Sequence, residues 1–147
     1  MPYSLEDYFE NLEGSNYEIT SPQTIDYNCI AFAAGHTDQW WWPSMYYWPE
    51  NVPRDESVRA FIAAFGTLGY VSCEDDTLEN GFEKVAIYVD EDGIPTHMAR
   101  QLQSGQWTSK CGELEDIEHE TLESLGGING YGSVAQFLKR PSDNTTG

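Results

Sequence analysis

The fold is decided by the stretch Lys84-Val85-Ala86-Ile87-Tyr88-Val89-Asp90-Glu91-Asp92-Gly93-Ile94-Pro95-Thr96-His97-Met98-Ala99-Arg100-Gln101-Leu102. Its acidic turn at 90–93 separates two runs with a period of two, which is typical of β-strands. A second turn, Ser104-Gly105, leads into a third run at 106–111. The sequence therefore predicts a three-stranded antiparallel meander over residues 84–111.

The loop between the second and third strands sets the predicted register. A two-residue loop at Ser104-Gly105 pairs Arg100 with Ser109 across the two strands. The same register brings the residues that follow position 112 beside His97. We therefore expect a side chain from that segment to contact the imidazole.

Two helices are predicted outside the meander from apolar residues at helical spacing. Residues 55–69 are predicted as a core helix that Gly69 ends. Residues 1–20 are predicted to contain a lead-in helix that docks on the domain. The apolar stripe of the core helix consists of Val58, Phe61, Ile62, Phe65 and Leu68.

A further helix is predicted to begin at Cys29, where the polar turn Asp26-Tyr27-Asn28 meets an apolar run closed by Gly35. Helix N-terminal amides favour a thiolate, so the pKa of Cys29 is predicted to lie below the ordinary value of about 8.5. Cys29 is thus a candidate nucleophile, and His97, on a strand downstream, is the candidate base. The alternative is that Cys29 packs as a small buried hydrophobe.

Two carboxylates are candidates to orient the His97 imidazole. A group that accepts the distal ring N–H fixes the base and stabilises its imidazolium. Asp116 is predicted for this role, although it also suits the N-cap of a predicted helix at 117–125. Glu113 is the alternative carboxylate, and His119, on that predicted helix, is the alternative base.

Charge and composition exclude several classes of function. The chain has 147 residues, 25 acidic and 7 basic, and a formal net charge of −18, so a nucleic-acid partner is not expected. No apolar run reaches the roughly 18 residues of a membrane span and no secretory signal is recognisable, so we expect a cytoplasmic protein without membrane contact. Three cysteines without zinc-like spacing predict neither a metal nor a cofactor.

The length favours a single domain over residues 1–141. The run at 131–141 is predicted as its last strand, and residues 142–147 are predicted to form a disordered tail.

The acidity also supports a non-enzymatic alternative. An acidic interaction module, such as an immunity or inhibitor protein, would use its charge to steer a basic protein partner. A DNA mimic is the less favoured form of that idea, because the chain is rich in aromatic residues. The loop at 40–48 carries four tryptophans and two tyrosines, which either pack in the core or wall a binding groove.

Several strings of the chain resemble a family of small, functionally uncharacterised bacterial proteins over residues 20–141. They are Tyr-Asn-Cys-Ile-Ala-Phe-Ala-Ala-Gly at 27–35, Trp-Trp-Trp-Pro at 40–43, His-Met-Ala-Arg-Gln-Leu at 97–102, Gly-Gln-Trp-Thr-Ser-Lys-Cys-Gly at 105–112 and Asp-Ile-Glu-His at 116–119.

The order of Cys29 and His97 in the chain also resembles that of papain-like cysteine hydrolases. The resemblance implies an α+β fold in a papain-like arrangement, with the Cys29 helix packed on a small antiparallel sheet beside a second core helix. It implies a peptidase, amidase or glutamine deamidase that acts on an amide or acyl bond of a protein or peptide-like substrate. Gln23, six positions before Cys29, matches the offset of the oxyanion-hole glutamine in such enzymes, and Asn28 is a second candidate for that role.

Overall fold

Seven strands form one sheet in which every neighbouring pair is antiparallel. The computed structural model describes residues 5–43, 46–111, 115–127 and 130–141. Its strands are β1 (Tyr17–Ser21), β2 (Val71–Cys73), β3 (Phe82–Val89), β4 (Pro95–Gln101), β5 (Trp107–Lys110), β6 (Asp116–His119) and β7 (Ser133–Pro141). Their order across the sheet is β1-β6-β5-β4-β3-β7-β2, so β1 and β2 form the two edges.

The helices are short, and each of the longer two begins at a polar cap. They are α1 (Leu5–Tyr8), α2 (Cys29–Ala33) and α3 (Val58–Gly66), with 3-10 turns at Glu10–Leu12 and Glu123–Leu125. Asn28 caps α2 and Ser57 caps α3, each accepting a backbone N–H three residues on at 3.1 Å. Among the described residues the longest helix has nine residues, too few to cross a bilayer.

The sheet buries apolar side chains on both faces. On the face that we call the helix face, α2 and α3 with Trp41 and Trp48 cover Val85, Ile87, Met98 and Leu138. On the other side, which we call the opposite face, Leu5, Phe9, Leu12, Leu122 and Leu125 cover Ala86, Tyr88, Ala99, Trp107 and Ile117. Successive residues of a strand point to different faces, which is why β3 and β4 contribute to both clusters.

The predicted meander is confirmed, because β3, β4 and β5 are consecutive antiparallel neighbours. The papain-like α+β arrangement is wrong. The fold is β-rich, because β1, β2, β6 and β7 extend the meander to seven strands while α2 and α3 have only five and nine residues. The single domain over 1–141 stays a prediction, and the tail at 142–147 lies outside the described residues.

The predicted register of β5 is also wrong, by one residue. Arg100 pairs with Thr108 rather than with Ser109. The connection closes with Leu102 N–H bonded to Gln106 O at 2.7 Å, and Gly105 takes a φ of +94°. A loop one residue longer than predicted reverses the face of every β5 side chain, and it turns Ser109 toward the opposite face.

Strands also occur in two segments that were predicted to be helical. The lead-in segment at 1–20 contains α1 and the 3-10 turn at Glu10–Leu12, but its last residues belong to β1, which pairs with β6. The predicted helix at 117–125 is mostly absent: Asp116 and His119 bound β6, and only a 3-10 turn follows at Glu123–Leu125. Asp116 is therefore not a helix cap, because the residues after it pair with β1 and β5 on both sides.

Candidate functional site

The candidate site is built where β4 and β5 separate. Only two residue pairs join these strands: Gln101 pairs with Trp107, and Arg100 pairs with Thr108. Beyond that point the backbone N–H of Met98 donates a hydrogen bond to the sulfur of Cys29. Because Cys29 is the first residue of α2, and α2 packs against both strands, the start of this helix lies over the gap between them.

Burial dominates the chemistry of the Cys29 thiol, which is only 7% exposed. Burial raises the pKa of Cys29 to about 11, and the backbone N–H groups of Met98, Ile30 and Cys29 itself oppose that rise only in part. The predicted low pKa is therefore wrong. Helix α2 is only one turn long, and loss of hydration outweighs the amide dipoles. At neutral pH the thiol is protonated.

Cys29 contributes to the wall of a cavity of about 340 Å³. The described residues that line it are Asn28, Cys29, Trp40, Trp42, Tyr46, Thr96 and Tyr131. The aromatic loop, predicted to be either core or groove, is therefore divided between the two. Trp41 and Trp48 are buried in the core, whereas Trp40 and Trp42 are half-buried and face the cavity.

On the opposite face, three fully buried polar side chains form a chain of hydrogen bonds. His97 Nε2 lies 3.0 Å from Ser109 Oγ, and Ser109 Oγ lies 2.8 Å from His119 Nε2. The chain ends at the carbonyl oxygen of Thr121, 2.8 Å from His119 Nδ1. The three side chains come from β4, β5 and β6, so the chain crosses the sheet along its hydrogen-bonding direction.

The terminal carbonyl fixes the proton positions along this chain. A carbonyl only accepts, so His119 Nδ1 carries a proton, and because burial lowers the pKa of His119 its Nε2 is a bare acceptor. Ser109 therefore donates to His119 and accepts from His97, so that His97 Nε2 is protonated. Burial, reinforced by His119, holds the pKa of His97 well below its usual range. His97 Nδ1 is left as a bare, buried nitrogen without a hydrogen-bond partner.

Tyr131 lies between the hydrogen-bond chain of His97, Ser109 and His119 and the cavity beside Cys29. Its ring stacks on the His97 imidazole with centroids 4.0 Å apart and planes within 5°, and the same residue lines the Cys29 cavity. Thr96 Oγ1 donates to the Tyr131 carbonyl. Gly132, at a φ of +95°, lies so close to Val89 that a Cβ there would be 1.9 Å from the Val89 carbonyl oxygen. This close approach holds Tyr131 against His97.

Asp116 lies on the helix face and is bonded to a different partner. Its Oδ2 accepts the hydroxyl of Tyr27, and Lys110 is its cross-strand neighbour. Burial raises the pKa of Asp116, against the opposing effects of the Tyr27 hydroxyl and Lys110. The group that hydrogen-bonds to the distal nitrogen of His97 is Ser109, so the structure does not place Asp116 in the orienting position predicted for it.

The predicted oxyanion residues lie apart from each other. Gln23 is exposed on the segment before α2 and is not among the described residues of the cavity wall. Asn28 lines the cavity, but its Oδ1 accepts the N–H groups of Ala31 and Trp41 and its Nδ2 donates to the Trp41 carbonyl. Its amide is thus occupied as a helix cap. Glu113 lies outside the described residues.

The other two histidines have opposite environments. His119, predicted on a helix, lies on β6 and is joined to His97 through Ser109. His36 is exposed just after α2, where its ring stacks on Trp41 at 5.4 Å. The structure therefore brings two of the three histidines into one buried chain and leaves the third at the surface.

Sequence reasoning missed Ser109 and Tyr131. Once the register is known, Trp107, Ser109 and Cys111 alternate onto one face of β5, and a serine between two buried neighbours is a signal for an internal hydrogen bond. Tyr131 stands between Gly130 and Gly132, and a large aromatic residue inside a glycine turn indicates close backbone approach. Neither signal requires more than the sequence and the correct register.

The titratable groups of the site are a thiol and an imidazole. At neutral pH the Cys29 thiol is protonated, and the His97 imidazole is neutral with one bare nitrogen. A neutral imidazole with a bare nitrogen is the form in which a histidine can accept a proton. In the described part of the chain, no three His, Cys, Asp or Glu side chains converge as metal ligands.

Comparison with known proteins places most of the chain in a family. The model of DUF7689, a domain of unknown function, matches residues 18–139. A search of curated proteins and a search of solved structures each gave no match. The family match agrees with the predicted resemblance to uncharacterised proteins and does not show a papain-like relationship.

Proposed function

We propose, for a chain that belongs to the DUF7689 family of unknown function, that Cys29 is the nucleophile of a thiol hydrolase with His97 as its general base. The observation that carries this proposal is the bare, buried Nδ1 of His97. A buried polar atom without a partner costs about 1–3 kcal/mol, so its presence in an otherwise satisfied chain calls for a reason. Accepting a proton from an incoming thiol is such a reason.

The position of Cys29 supports the pairing. Its sulfur accepts the backbone N–H of Met98, the residue that follows His97. The imidazole ring packs on Tyr131, which lines the same cavity as Cys29. Cys29 therefore meets β4 from the helix face at the residue after His97, while the His97 ring lies on the opposite face beside Ser109 and Tyr88.

The proposed reaction starts from the neutral pair. As Cys29 Sγ forms a bond to the carbonyl carbon of an amide or ester, the thiol proton passes to His97 Nδ1. That proton then goes to the leaving amine or alcohol as its bond to the carbonyl carbon breaks, which leaves a thioester on Cys29. Water attacks the thioester, gives a proton to Nδ1 and releases the acid, and the proton returns to the Cys29 sulfur.

Ser109 and His119 are positioning residues in this proposal. When Nδ1 accepts the proton, the imidazolium keeps its Nε2–H bonded to Ser109 Oγ, whose own proton is held by His119. The chain therefore keeps the ring from rotating and presents an acceptor to the positive charge. The backbone N–H groups at Cys29 and Ile30, which partly oppose the rise in the pKa of Cys29, would supply positive dipoles for negative charge that develops beside the sulfur.

The test is acylation of the protein by p-nitrophenyl acetate, followed by intact-protein and peptide mass spectrometry. We expect acetyl transfer to Cys29 at a rate that is nearly constant from about pH 6 to 8, because the reactive neutral pair is the dominant form between the two shifted pKa values. A free thiolate without a base would instead react about tenfold faster per pH unit in this range. The Cys29→Ala variant should abolish the adduct.

The matched variants are His97→Gln and His36→Gln. Loss of the base should slow acylation by about 10²- to 10⁴-fold, whereas the change at exposed His36 should leave the rate within about twofold. Acylation that rises steeply with pH and ignores His97 would contradict the proposal, as would equal labelling of Cys111, which is buried on the opposite face and does not line the cavity.

A second candidate function is a non-catalytic acidic interaction module. It is favoured by three exposed apolar side chains near the aromatic loop: Ile25 at 68%, Tyr46 at 48% and Tyr47 at 45% exposure. Trp40 Nε1 donates to the Ile25 carbonyl at 2.7 Å, and the ring centroids of Trp40 and Tyr46 are 5.2 Å apart. Ile25 and Tyr46 therefore lie on one surface, on either side of Trp40. Absence of Cys29 acylation together with an intact fold would favour this alternative.

A further inference from the structure

The cavity beside Cys29 presents aromatic walls and few free hydrogen-bonding groups. Trp40 and Trp42 use their indole N–H groups elsewhere, donating to the Ile25 carbonyl and to Glu56. Thr96 donates to the Tyr131 carbonyl, and the Asn28 amide caps α2. The two tryptophans therefore offer a ligand mainly the surface of their rings, and Tyr46 and Tyr131 add two further aromatic rings to the wall, each with a hydroxyl group.

Acidic side chains lie next to this cavity, and a cation, Arg54, contacts the aromatic loop. Among the described lining residues none carries a formal charge, and Glu56 accepts the Trp42 indole N–H at 3.2 Å. A second pocket of about 220 Å³ shares the Tyr131 wall and is lined by the acidic turn Asp90-Glu91-Asp92. The guanidinium of Arg54 donates hydrogen bonds to the backbone carbonyls of Pro43 and Tyr46 in the aromatic loop, and Arg54 is not among the described residues that line the cavity. The whole chain carries −18, so the potential favours a cation.

We infer that this cavity binds an organic cation, specifically an alkylated ammonium group, between Trp40, Trp42, Tyr46 and Tyr131. Aromatic faces attract cations, and the attraction is strongest where the cation is poorly hydrated. A primary ammonium needs acceptors for three N–H groups, whereas a trimethylammonium needs none and places methyl groups against aromatic rings. The volume of about 340 Å³ falls within the range of small-molecule sites. The inference does not rest on the proposed function, because binding here does not require Cys29 to react.

The test uses choline and its neutral isostere 3,3-dimethylbutan-1-ol, titrated while the indole N–H signals of Trp40 and Trp42 are followed by NMR. We expect saturable shifts with choline, and affinity about 2- to 30-fold higher than for the neutral isostere. Added sodium chloride should weaken choline and leave the isostere unchanged. Equal or tighter binding of the isostere would overturn the inference, as would the absence of saturable shifts.

Two neighbouring tyrosines provide matched variants. Tyr46 and Tyr47 are almost equally exposed, but only Tyr46 is among the residues of the cavity wall. Tyr46→Leu should weaken choline about 2- to 5-fold, and Tyr47→Leu should change its affinity less than twofold. Equal losses in both variants would overturn the placement. Choline binding is measured without any acylating reagent, so a failure of the proposed catalysis remains separately visible.

A peptide arm distinguishes the source of the cation. A short peptide with one trimethylated lysine that binds more tightly than choline would identify a modified protein side chain as the ligand. Binding no tighter than choline would identify a free small cation, and both results support the inference. The same peptide with unmodified lysine should bind more weakly, and equal affinity of the two peptides would contradict the preference for an alkylated group.

Discussion

The two faces of the sheet treat polar groups in opposite ways around the same pair of strands. On the helix face, the Cys29 cavity is open to ligands and its polar groups are bonded to the surrounding backbone. On the opposite face, His97, Ser109 and His119 are fully buried and bonded to one another. Tyr131 contacts both regions.

In the proposed function, this difference assigns ligand binding to the helix face and the general base to the opposite face. A cavity with aromatic walls accepts a ligand without fixing a proton, whereas a buried chain that ends on a carbonyl fixes every proton along it. Within the hydrogen-bond chain of His97, Ser109 and His119, only His97 Nδ1 lacks a partner. The other bonds of that chain explain why this nitrogen carries no proton. The predictions that follow disturb one face while sparing the other.

The largest effect is expected at the turn that connects the faces. Gly132→Ala combines left-handed backbone with overlap against the Val89 carbonyl, and should lower the free energy of unfolding by about 3–5 kcal/mol. Gly93→Ala has the same backbone strain at a φ of +79° with nothing within 4 Å, and should cost about 1–2 kcal/mol. Urea denaturation of both variants measures the contrast, and equal losses would contradict the close approach.

Adjacent residues of β5 compare the two faces directly. Ser109→Ala leaves the Nε2 atoms of His97 and His119 both unpaired, and should cost about 2–4 kcal/mol. Thr108→Val removes one bond, to the Ile117 carbonyl at 3.1 Å, and should cost about 0.5–1.5 kcal/mol. A larger loss at Thr108 than at Ser109 in chemical denaturation would show that the buried chain is not the more sensitive region.

The buried chain should also make stability fall in mild acid. The pKa values of His97 and His119 are lowered in the folded protein, so the unfolded state binds more protons once pH falls below about 6.5. Each group then removes up to about 1.4 kcal/mol per pH unit as pH falls toward its folded value. Denaturation curves between pH 7 and 5 should show this slope, and His97→Gln should reduce it.

His36 is exposed and lies outside the hydrogen-bond chain of His97, Ser109 and His119, so His36→Gln is the matched control variant for His97→Gln. Equal slopes in His97→Gln and the unmodified chain would mean that the imidazole is not held neutral by burial.

The smallest effect is expected on the cavity rim. Tyr46→Leu should change the free energy of unfolding by less than about 0.5 kcal/mol, because the side chain is 48% exposed. The test compares the thermal unfolding of Tyr46→Leu with that of Trp48→Leu, a variant at a residue in the buried core. A loss at Tyr46 as large as that at Trp48 would indicate that the rim is part of the core.

Local sequence signals sufficed for the centre of the fold. The Asn28 cap and the apolar residues after it predicted α2, and alternation on either side of 90–93 predicted β3 and β4. Long-range pairing was not predictable in the same way. Residues 116–119 do not show the alternation of apolar and polar residues that predicts a strand, because the polar His119 is buried on the same face as Ile117. The edge strand β1 pairs with these residues, so it was not predictable either.

Residue type and context named Cys29, His97 and His119 as candidates, but they did not give the contacts between them. Because the predicted loop at Ser104-Gly105 was one residue too short, carboxylates and not Ser109 were predicted as the partner of His97. Because strand side chains alternate, such an error changes every predicted neighbour. The raised pKa of Cys29 depends on tertiary burial, which a local helix-start argument does not contain.

The central claim is that the chain through Ser109 leaves His97 Nδ1 bare at neutral pH. Nitrogen-15 NMR of selectively labelled histidine measures which ring nitrogens are protonated. We predict a proton on Nε2 and a bare Nδ1 in His97, the reverse in His119, and no change from pH 8 down to pH 6. A proton on His97 Nδ1, or imidazolium at pH 7, would contradict the account.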